Sequence, residues 1–278
     1  MTVEDHFQLV ASVYDSLRTT DEAPVRRLRE LLPDQAVVGL DLGCGTGRYS
    51  RLLHAMLPDG SLLAASDVSA AMLTELQAGC AGQASVVALR CTAEELPIRT
   101  DSLDLVTAFN SVHHFDLTRF LAEAARALRA GGRLFVYTRT PAQNARTIWG
   151  RLFPGFAARE QRLHSETTLT DAVHHTRGLQ LVHTETFRHA RSSTPERLRA
   201  QVEGRHYSTF SLYEPDELRQ AIAVFLARLP GPEVRWVDEH LLVVAAASPG
   251  RDLRTPPARP SRRAEPLRAR LEVEESPR

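Results

Sequence analysis

A short segment near residue 40 places glycines at alternating positions. From Val38 to Gly47 it reads Val-Gly-Leu-Asp-Leu-Gly-Cys-Gly-Thr-Gly, and its apolar start predicts a buried strand. Glycine lets the backbone turn sharply and lets a ligand lie against bare main chain. Asp41, two residues before Gly43, would repel a pyrophosphate but suits an ammonium group or the water around one. The segment therefore predicts a nucleoside-binding turn that does not hold phosphates.

The glycine spacing separates this turn from two common nucleotide-binding motifs. A dinucleotide fingerprint, G-x-G-x-x-G from Gly43, would need its third glycine at position 48, where Arg48 stands. A P-loop needs a lysine, and all 34 basic residues of this chain are arginines. An NAD(P)-dependent oxidoreductase therefore remains only as a disfavoured alternative.

Asp67 ends the second predicted strand and is the next candidate for ligand binding. Its carboxylate can accept hydrogen bonds from both hydroxyls of a ribose. It could instead cap the following helix, a role for which Ser69 is equally suited. Because the glycine turn precedes it, we favour ribose binding.

Strands and helices alternate around these residues in the pattern of a parallel sheet. Apolar runs predict strands, separated by helices or turns, at 36–42, 61–66, 85–90, 102–109 and 133–138. With further strands at 179–187 and 234–247, we expect an α/β fold: a doubly wound, mostly parallel seven-stranded sheet, with helices on both faces and a helical cap. Between strands five and six we expect one helix within 139–165.

The chain divides into four predicted parts. Residues 1–33 form an N-terminal helical lid, and residues 34–138 form a Rossmann-like core that binds the cofactor. Residues 139–248 complete the sheet and contribute helical insertions that shape an acceptor pocket. Residues 249–278 are rich in Pro and Arg, which predicts a disordered tail.

From about residue 36 to 138 the sequence resembles the class I, Rossmann-like S-adenosylmethionine-dependent methyltransferases, in particular those that act on small molecules. The resemblance implies that the glycine turn holds the amino-acid part of the cofactor, Asp67 its ribose, and the segment at Thr92 its adenine. Thr92 stands where many relatives carry Asp, and its hydroxyl can accept the same hydrogen bond. The implied cofactor contacts are Asp41, Gly43, Cys44, Gly45, Thr46, Gly47, Asp67, Val68, Met72, Thr92, Ala93, Asn110 and Ser111.

The resemblance also suggests where the acceptor lies. Methyl transfer from a sulfonium is an in-line displacement, which needs a general base only when the acceptor must lose a proton. His113 and His114 follow strand four and are candidates for a base or an orienting group, although local packing is the favoured interpretation. The acceptor pocket, or a small satellite core, would include Arg139, Gln143, Asn144, Trp149, Phe153, Phe156, Tyr207 and Tyr213.

Composition limits the class of partner. Acidic and basic residues balance at 34 each, so the chain has no global attraction to nucleic acid or to an anionic membrane. Cys44, Cys80 and Cys91 are too widely spaced for a zinc motif, which predicts no metal and favours a cytoplasmic setting. The polar N-terminus does not look like a secretory signal, and no apolar stretch is long enough for a membrane span.

The sequence thus predicts an enzyme that transfers a methyl group from S-adenosylmethionine to a small-molecule acceptor, without membrane partners. A methyltransferase of RNA or protein is the main alternative, since the basic tail could supply local affinity. A protein that binds the cofactor without catalysis is also left open.

Overall fold

The computed structural model describes residues 3–82 and 85–248 and contains the predicted seven-stranded sheet. The strand order is β3-β2-β1-β4-β5-β7-β6, and β7 is antiparallel to both of its neighbours. The remaining pairs are parallel, which confirms the doubly wound, mostly parallel α/β fold. The strands are β1 (Val38–Leu42), β2 (Leu62–Asp67), β3 (Val86–Arg90), β4 (Leu103–Phe109), β5 (Leu128–Thr138), β6 (Leu179–Ser193) and β7 (Val234–Ala247).

Helices cover both faces of the sheet, and most of those in the segments between β5 and β7 form a cap. They are α1 (Val3–Leu17), α2 (Glu22–Glu30), α3 (Arg48–Met56), α4 (Ala70–Gly79), α5 (Leu117–Ala127), α6 (Pro141–Arg146), α7 (Ile148–Leu152), α8 (Phe156–Arg159), α9 (Glu166–His175), α10 (Pro195–Glu203) and α11 (Pro215–Ala227). In the part of the chain that the structure describes, no helix combines the length and apolarity needed to cross a membrane.

The sheet separates two hydrophobic layers because successive side chains of a strand point to opposite faces. On one face Leu40 and Val106 pack with Phe120 of α5. On the other face Leu105 packs with Val25 of α2. Every residue of β1 and β4 is buried, as expected for central strands of a sheet that is covered on both sides.

A third cluster of buried residues lies in the segments between β5 and β7. Its centre is aromatic: the ring of Trp149 lies 5.0 Å from that of Phe225 and 5.4 Å from that of Phe210, measured between centroids. Phe153 and Phe156 complete it. The satellite core that was one of two interpretations of these residues is therefore present.

Three boundaries differ from the sequence-based expectation. β5 begins at Leu128 rather than 133, with Gly131 at a φ of +79° inside the strand instead of in a turn before it. β6 continues past Phe187 to Ser193 because β7 pairs with it along that whole length. The single helix expected in 139–165 is three short ones, interrupted at Thr147 and at Gly155. The predicted disordered tail, 249–278, lies outside the described residues.

Candidate active site

The glycine turn lies between the end of β1 and the start of α3. Gly43, Gly45 and Gly47 have φ angles of +63°, +55° and +79°. A Cβ atom at Gly43 would lie 2.5 Å from the Cβ of Ser111, and one at Gly47 would lie 2.1 Å from a methyl carbon of Leu76. Both the left-handed backbone and this close approach therefore require glycine.

Asp67 lies directly beside the glycine turn. Its Oδ2 accepts a hydrogen bond of 2.9 Å from the backbone N–H of Gly45, and its Oδ1 accepts one of 2.9 Å from that of Ser69. Ser69 itself caps α4 by accepting a hydrogen bond from the N–H of Met72. The helix cap is thus supplied by Ser69, and the carboxylate of Asp67 faces the turn.

A cavity of about 430 Å³ opens over this turn. Ten of the residues singled out in the sequence line it: Gly43, Cys44, Gly45, Asp67, Val68, Thr92, Ala93, Asn110, Ser111 and His114. Nine further lining residues are not among the cofactor contacts named from the sequence: Tyr14, Arg18, Arg48, Tyr49, Ser66, Cys91, Glu94, Phe109 and Phe115. Most of these nine are chain neighbours of predicted residues, and that adjacency was the signal available for them.

Four predicted cofactor contacts, Asp41, Thr46, Gly47 and Met72, are not part of this lining. The Asp41 side chain accepts hydrogen bonds from the hydroxyls of Ser50 (2.5 Å) and Thr107 (2.7 Å). Burial raises the pKa of Asp41 to about 6, although these two hydrogen bonds oppose the rise. Met72, also buried, lies below Gly45. These residues support the turn from beneath.

Helix α1 closes one side of the cavity. Asp15 accepts hydrogen bonds from the hydroxyl of Thr46 and from the guanidinium of Arg51, the latter at 2.9 Å. A Cβ atom at Gly45 would lie 4.0 Å from the ring of Tyr14. The helix is therefore tied to the glycine turn.

A second cavity, of about 150 Å³, adjoins the first. The two share six lining residues: Tyr14, Arg18, Arg48, Tyr49, Asn110 and His114. Of the predicted acceptor-pocket residues, five line the second cavity: Arg139, Asn144, Trp149, Phe156 and Tyr207. Gln143 does not, because it forms a capping box with Thr140. Phe153 and Tyr213 belong to the aromatic core.

The two histidines after β4 lie in a short 3₁₀ turn, Val112–His114, between the cavities. His113 lines the second cavity only, whereas His114 lines both. Burial, reinforced by the charge of Arg162, lowers the pKa of His113 to about 3. A histidine with so low a pKa is neutral at pH 7 and is a weak proton acceptor.

A polar network forms one wall of the second cavity. Asp21 pairs with Arg191 at 2.8 Å and lies 3.5 Å from His189 Nδ1. Asp21, His189 and His240 are the one group in the described ranges whose spacing would allow a metal ion. Arg139 also lies 3.3 Å from His240, so two guanidinium groups oppose the binding of a divalent cation there.

Comparison with known proteins agrees with this geometry. Residues 40–136 match the model of a methyltransferase domain family. The chain is 34% identical over 141 residues to a malonyl-[acyl-carrier protein] O-methyltransferase of Dechloromonas aromatica, covering 50% of this chain and 51% of that protein. It is 39% identical over 111 residues to an uncharacterised methyltransferase of Mycobacterium bovis, covering 40% and 43%. The chain thus spans about half the length of the curated relatives it matches.

Solved structures share the fold at low sequence identity. The [4+2]-cyclase SpnF superposes with a TM-score of 0.61 at 16% identity, covering 89% of this chain and 96% of that one. Geranyl diphosphate C-methyltransferase from Streptomyces coelicolor has a TM-score of 0.53 at 19% identity, covering 81% and 78%. Residues 40–136 of this chain thus match a methyltransferase domain family, and they lie in a sheet whose strand order and glycine turn are Rossmann-like.

Proposed function

We propose that this protein transfers a methyl group from S-adenosylmethionine to a small-molecule acceptor by in-line displacement. The observation that carries the proposal is that the cavity over the glycine turn meets the second cavity at Asn110 and His114. When bound, the cofactor supplies a methyl group already activated on a sulfonium. The protein then has to hold the acceptor in line with it and exclude water.

The first cavity fits such a cofactor by three features. The backbone at Gly43 and Gly45 is bare and turned, Asp67 presents a carboxylate beside it, and the volume of about 430 Å³ is ample for a nucleoside. We assign the amino-acid part to the glycine turn and the ribose hydroxyls to Asp67. We assign the adenine to the side of the cavity that is lined by Val68, Thr92 and Ala93.

The residues beneath the turn have a different proposed role. Asp41, Thr46, Gly47 and Met72 hold the backbone of the turn in place, through the hydrogen bonds and packing described above. We therefore expect Asp41 to act on cofactor affinity through the shape of the turn rather than through direct contact. Asn110 and Ser111 lie at the opposite wall, where the two cavities approach each other.

Two features support a small acceptor over RNA or a folded protein. The second cavity holds only about 150 Å³ beneath α1, and the chain has no net charge. The relatives named above act, by their names, on a malonyl group carried by a protein and on geranyl diphosphate. Methylation of a protein-borne group therefore stays an alternative for the acceptor.

The proposed division of labour follows the predicted parts of the chain. Residues 1–33 act as a lid, 34–138 bind the cofactor, and 139–248 complete the sheet and shape the acceptor cavity. Asn110 and His114 orient the acceptor, and the buried, neutral ring of His113 forms part of the cavity wall. We also propose a cytoplasmic location, because Cys44, Cys80 and Cys91 are free thiols.

Calorimetry and label transfer together test the proposal. The purified protein should bind S-adenosylmethionine and S-adenosylhomocysteine, and it should not bind NAD⁺. Incubation with methyl-labelled S-adenosylmethionine and a metabolite extract should give a labelled small molecule. Binding alone does not suffice, since a cyclase shares this fold. Absence of binding to either cofactor form would refute the proposal, and label found only in RNA or protein would favour the alternative.

A further inference from the structure

The second cavity, here called the acceptor cavity, is lined by more positive than negative side chains. Five arginines line it: Arg18, Arg48, Arg139, Arg191 and Arg197. Three carboxylates face them: Asp21, Glu160 and Asp238. Such an imbalance in a partly closed space creates a positive potential, because the low-dielectric walls concentrate the field.

The carboxylates of the acceptor cavity are already engaged. Glu160 binds Arg162, which is not a lining residue, with hydrogen bonds of 2.8 and 2.5 Å. Asp21 binds Arg191 at 2.8 Å. Asp238 is shared between Arg191 at 3.2 Å, the indole of Trp236 at 3.0 Å and Arg139 at 3.6 Å. Arg48 lies 3.7 Å from Asp15, which is not a lining residue, whereas no carboxylate of the described residues forms an ion pair with Arg18 or Arg197.

Arg18 and Arg139 both lie close to one aromatic ring at the wall of this cavity. Their guanidinium carbons lie 4.5 Å and 5.6 Å from the ring centroid of Tyr207. Arg18 forms no ion pair with a carboxylate of the described chain, and Arg139 is only 7% exposed. The Nε atoms of both arginines are buried without a hydrogen-bond partner in the described structure. An anion bound in the cavity would supply the charge and the hydrogen bonds that Asp238, at 3.6 Å from Arg139, does not supply to these two guanidinium groups.

The histidines of the cavity respond to the same field. Burial is the main cause of the low pKa of His113, His206 and His240, and in each the charges of Arg18 and Arg139 lower it further. These histidines are therefore neutral and neither add to nor relieve the positive charge.

Resting on the proposed function, we propose that the methyl acceptor is an ionised carboxylic acid whose carboxylate is held by Arg18 and Arg139 beside Tyr207. The planar guanidinium fork matches the two oxygens of a carboxylate better than a point charge does. The volume of about 150 Å³ limits the enclosed part of the acceptor to a group of roughly benzene's size. Its reacting atom lies toward Asn110 and His114, where the acceptor cavity meets the first.

Binding of matched acids and amides tests this. With S-adenosylhomocysteine at saturation, calorimetry would compare acetate, propionate, malonate and benzoate with acetamide, propionamide, malonamide and benzamide. Each pair differs in charge but hardly in shape. At least one acid should bind about tenfold more tightly than its amide. If no acid binds better than its amide, the proposal is wrong.

Two variants locate the site. Arg139→Met and Arg18→Met should each weaken binding of the preferred acid by about tenfold and leave the amide unchanged. Arg235→Met, at a side chain that is 76% exposed, is the matched control and should change neither. Acid binding that survives both Arg139→Met and Arg18→Met would overturn the assignment.

The experiments distinguish failure of the proposed function from failure of the proposal that the acceptor is a carboxylic acid. Titration of each protein with S-adenosylhomocysteine, together with its thermal unfolding, shows whether a variant still folds and binds the cofactor. Because Arg139 is buried and Arg18 is not, the second variant keeps the test valid if the first fails to fold. Failure of the unsubstituted protein to bind the cofactor would refute the proposed function. Cofactor binding without any preference for acids would refute only the inference.

Discussion

The carboxylate of Asp41 accepts a hydrogen bond of 2.7 Å from the hydroxyl of Thr107, which joins β1 to β4 directly below the glycine turn. Asp41 is 1% exposed and has no cationic partner among the described residues, so its ionised form is held by the hydroxyl groups of Ser50 and Thr107. The titration of this residue should therefore be visible in the stability of the protein.

Asp41→Asn should change how stability depends on pH. The folded-state pKa of Asp41 rises from 3.8 to about 6, so its contribution to stability is complete below pH 4 and is lost as the pH rises through 6. The loss is on the order of 3 kcal/mol. Between pH 4 and 7 the unfolding free energy of the native protein should thus fall relative to that of the variant. Urea unfolding at several pH values measures this, and a constant difference between the two proteins would contradict it.

Asp67→Asn should weaken cofactor binding. The amide retains one acceptor oxygen, but it loses the charge and cannot accept two pairs of hydrogen bonds at once. We expect about a tenfold to hundredfold rise in the Kd for S-adenosylhomocysteine, measured by calorimetry. Asp59→Asn, in the exposed turn before β2, is the control and should bind as the native protein does. An unchanged Kd for Asp67→Asn would remove this residue from the site.

Phe210→Ala should destabilise the cap by about 3–5 kcal/mol, because it removes a large side chain from the aromatic cluster. Phe210 is fully buried, whereas Leu212, two residues later in the same 3₁₀ turn, is 49% exposed. Leu212→Ala is therefore the matched control, with an expected effect within about 0.5 kcal/mol. Chemical denaturation compares the two, and similar losses would contradict the packing described for this cluster.

His113→Gln should leave the pH profile of methyl transfer unchanged between pH 5 and 8. The pKa of His113 is about 3, so the ring is neutral throughout this range and loses no proton in it. His174→Gln, a change at an exposed position of α9, is the control and should have the same pH profile as the native protein. Disappearance of a limb of the profile in the His113 variant alone would show that this ring acts as a base.

The glycine turn and the succession of strands β1 to β5 along the chain could be predicted because their signals are local. Apolar runs, turn residues and the spacing of Gly43, Gly45 and Gly47 depend on a few neighbours in the chain. The start of β5 and the length of β6 depend instead on pairing with distant strands, such as that of Ser193 with Val234. Such pairing cannot be predicted from the residues that are neighbours along the chain.

The walls of the site were harder to predict for a related reason. Tyr14 and Arg18 reach the cavities because α1 packs across the glycine turn, which links segments more than thirty residues apart. Asp41 shows the opposite case. Its position in the motif suggested a ligand contact, but alternation along β1 directs it toward α3, where Ser50 donates to it.

The two cavities come from different stretches of the chain. Apart from Tyr14 and Arg18, the residues that line the first cavity lie between Gly43 and Phe115, whereas those that line only the second lie mostly between Thr138 and His240. Under the proposed function, substitutions in the later stretch would change the acceptor cavity without altering the hydrogen bond between Asp67 and Gly45. Proteins that evolved from one such ancestor would then differ in the acceptor they methylate and still share the same methyl donor.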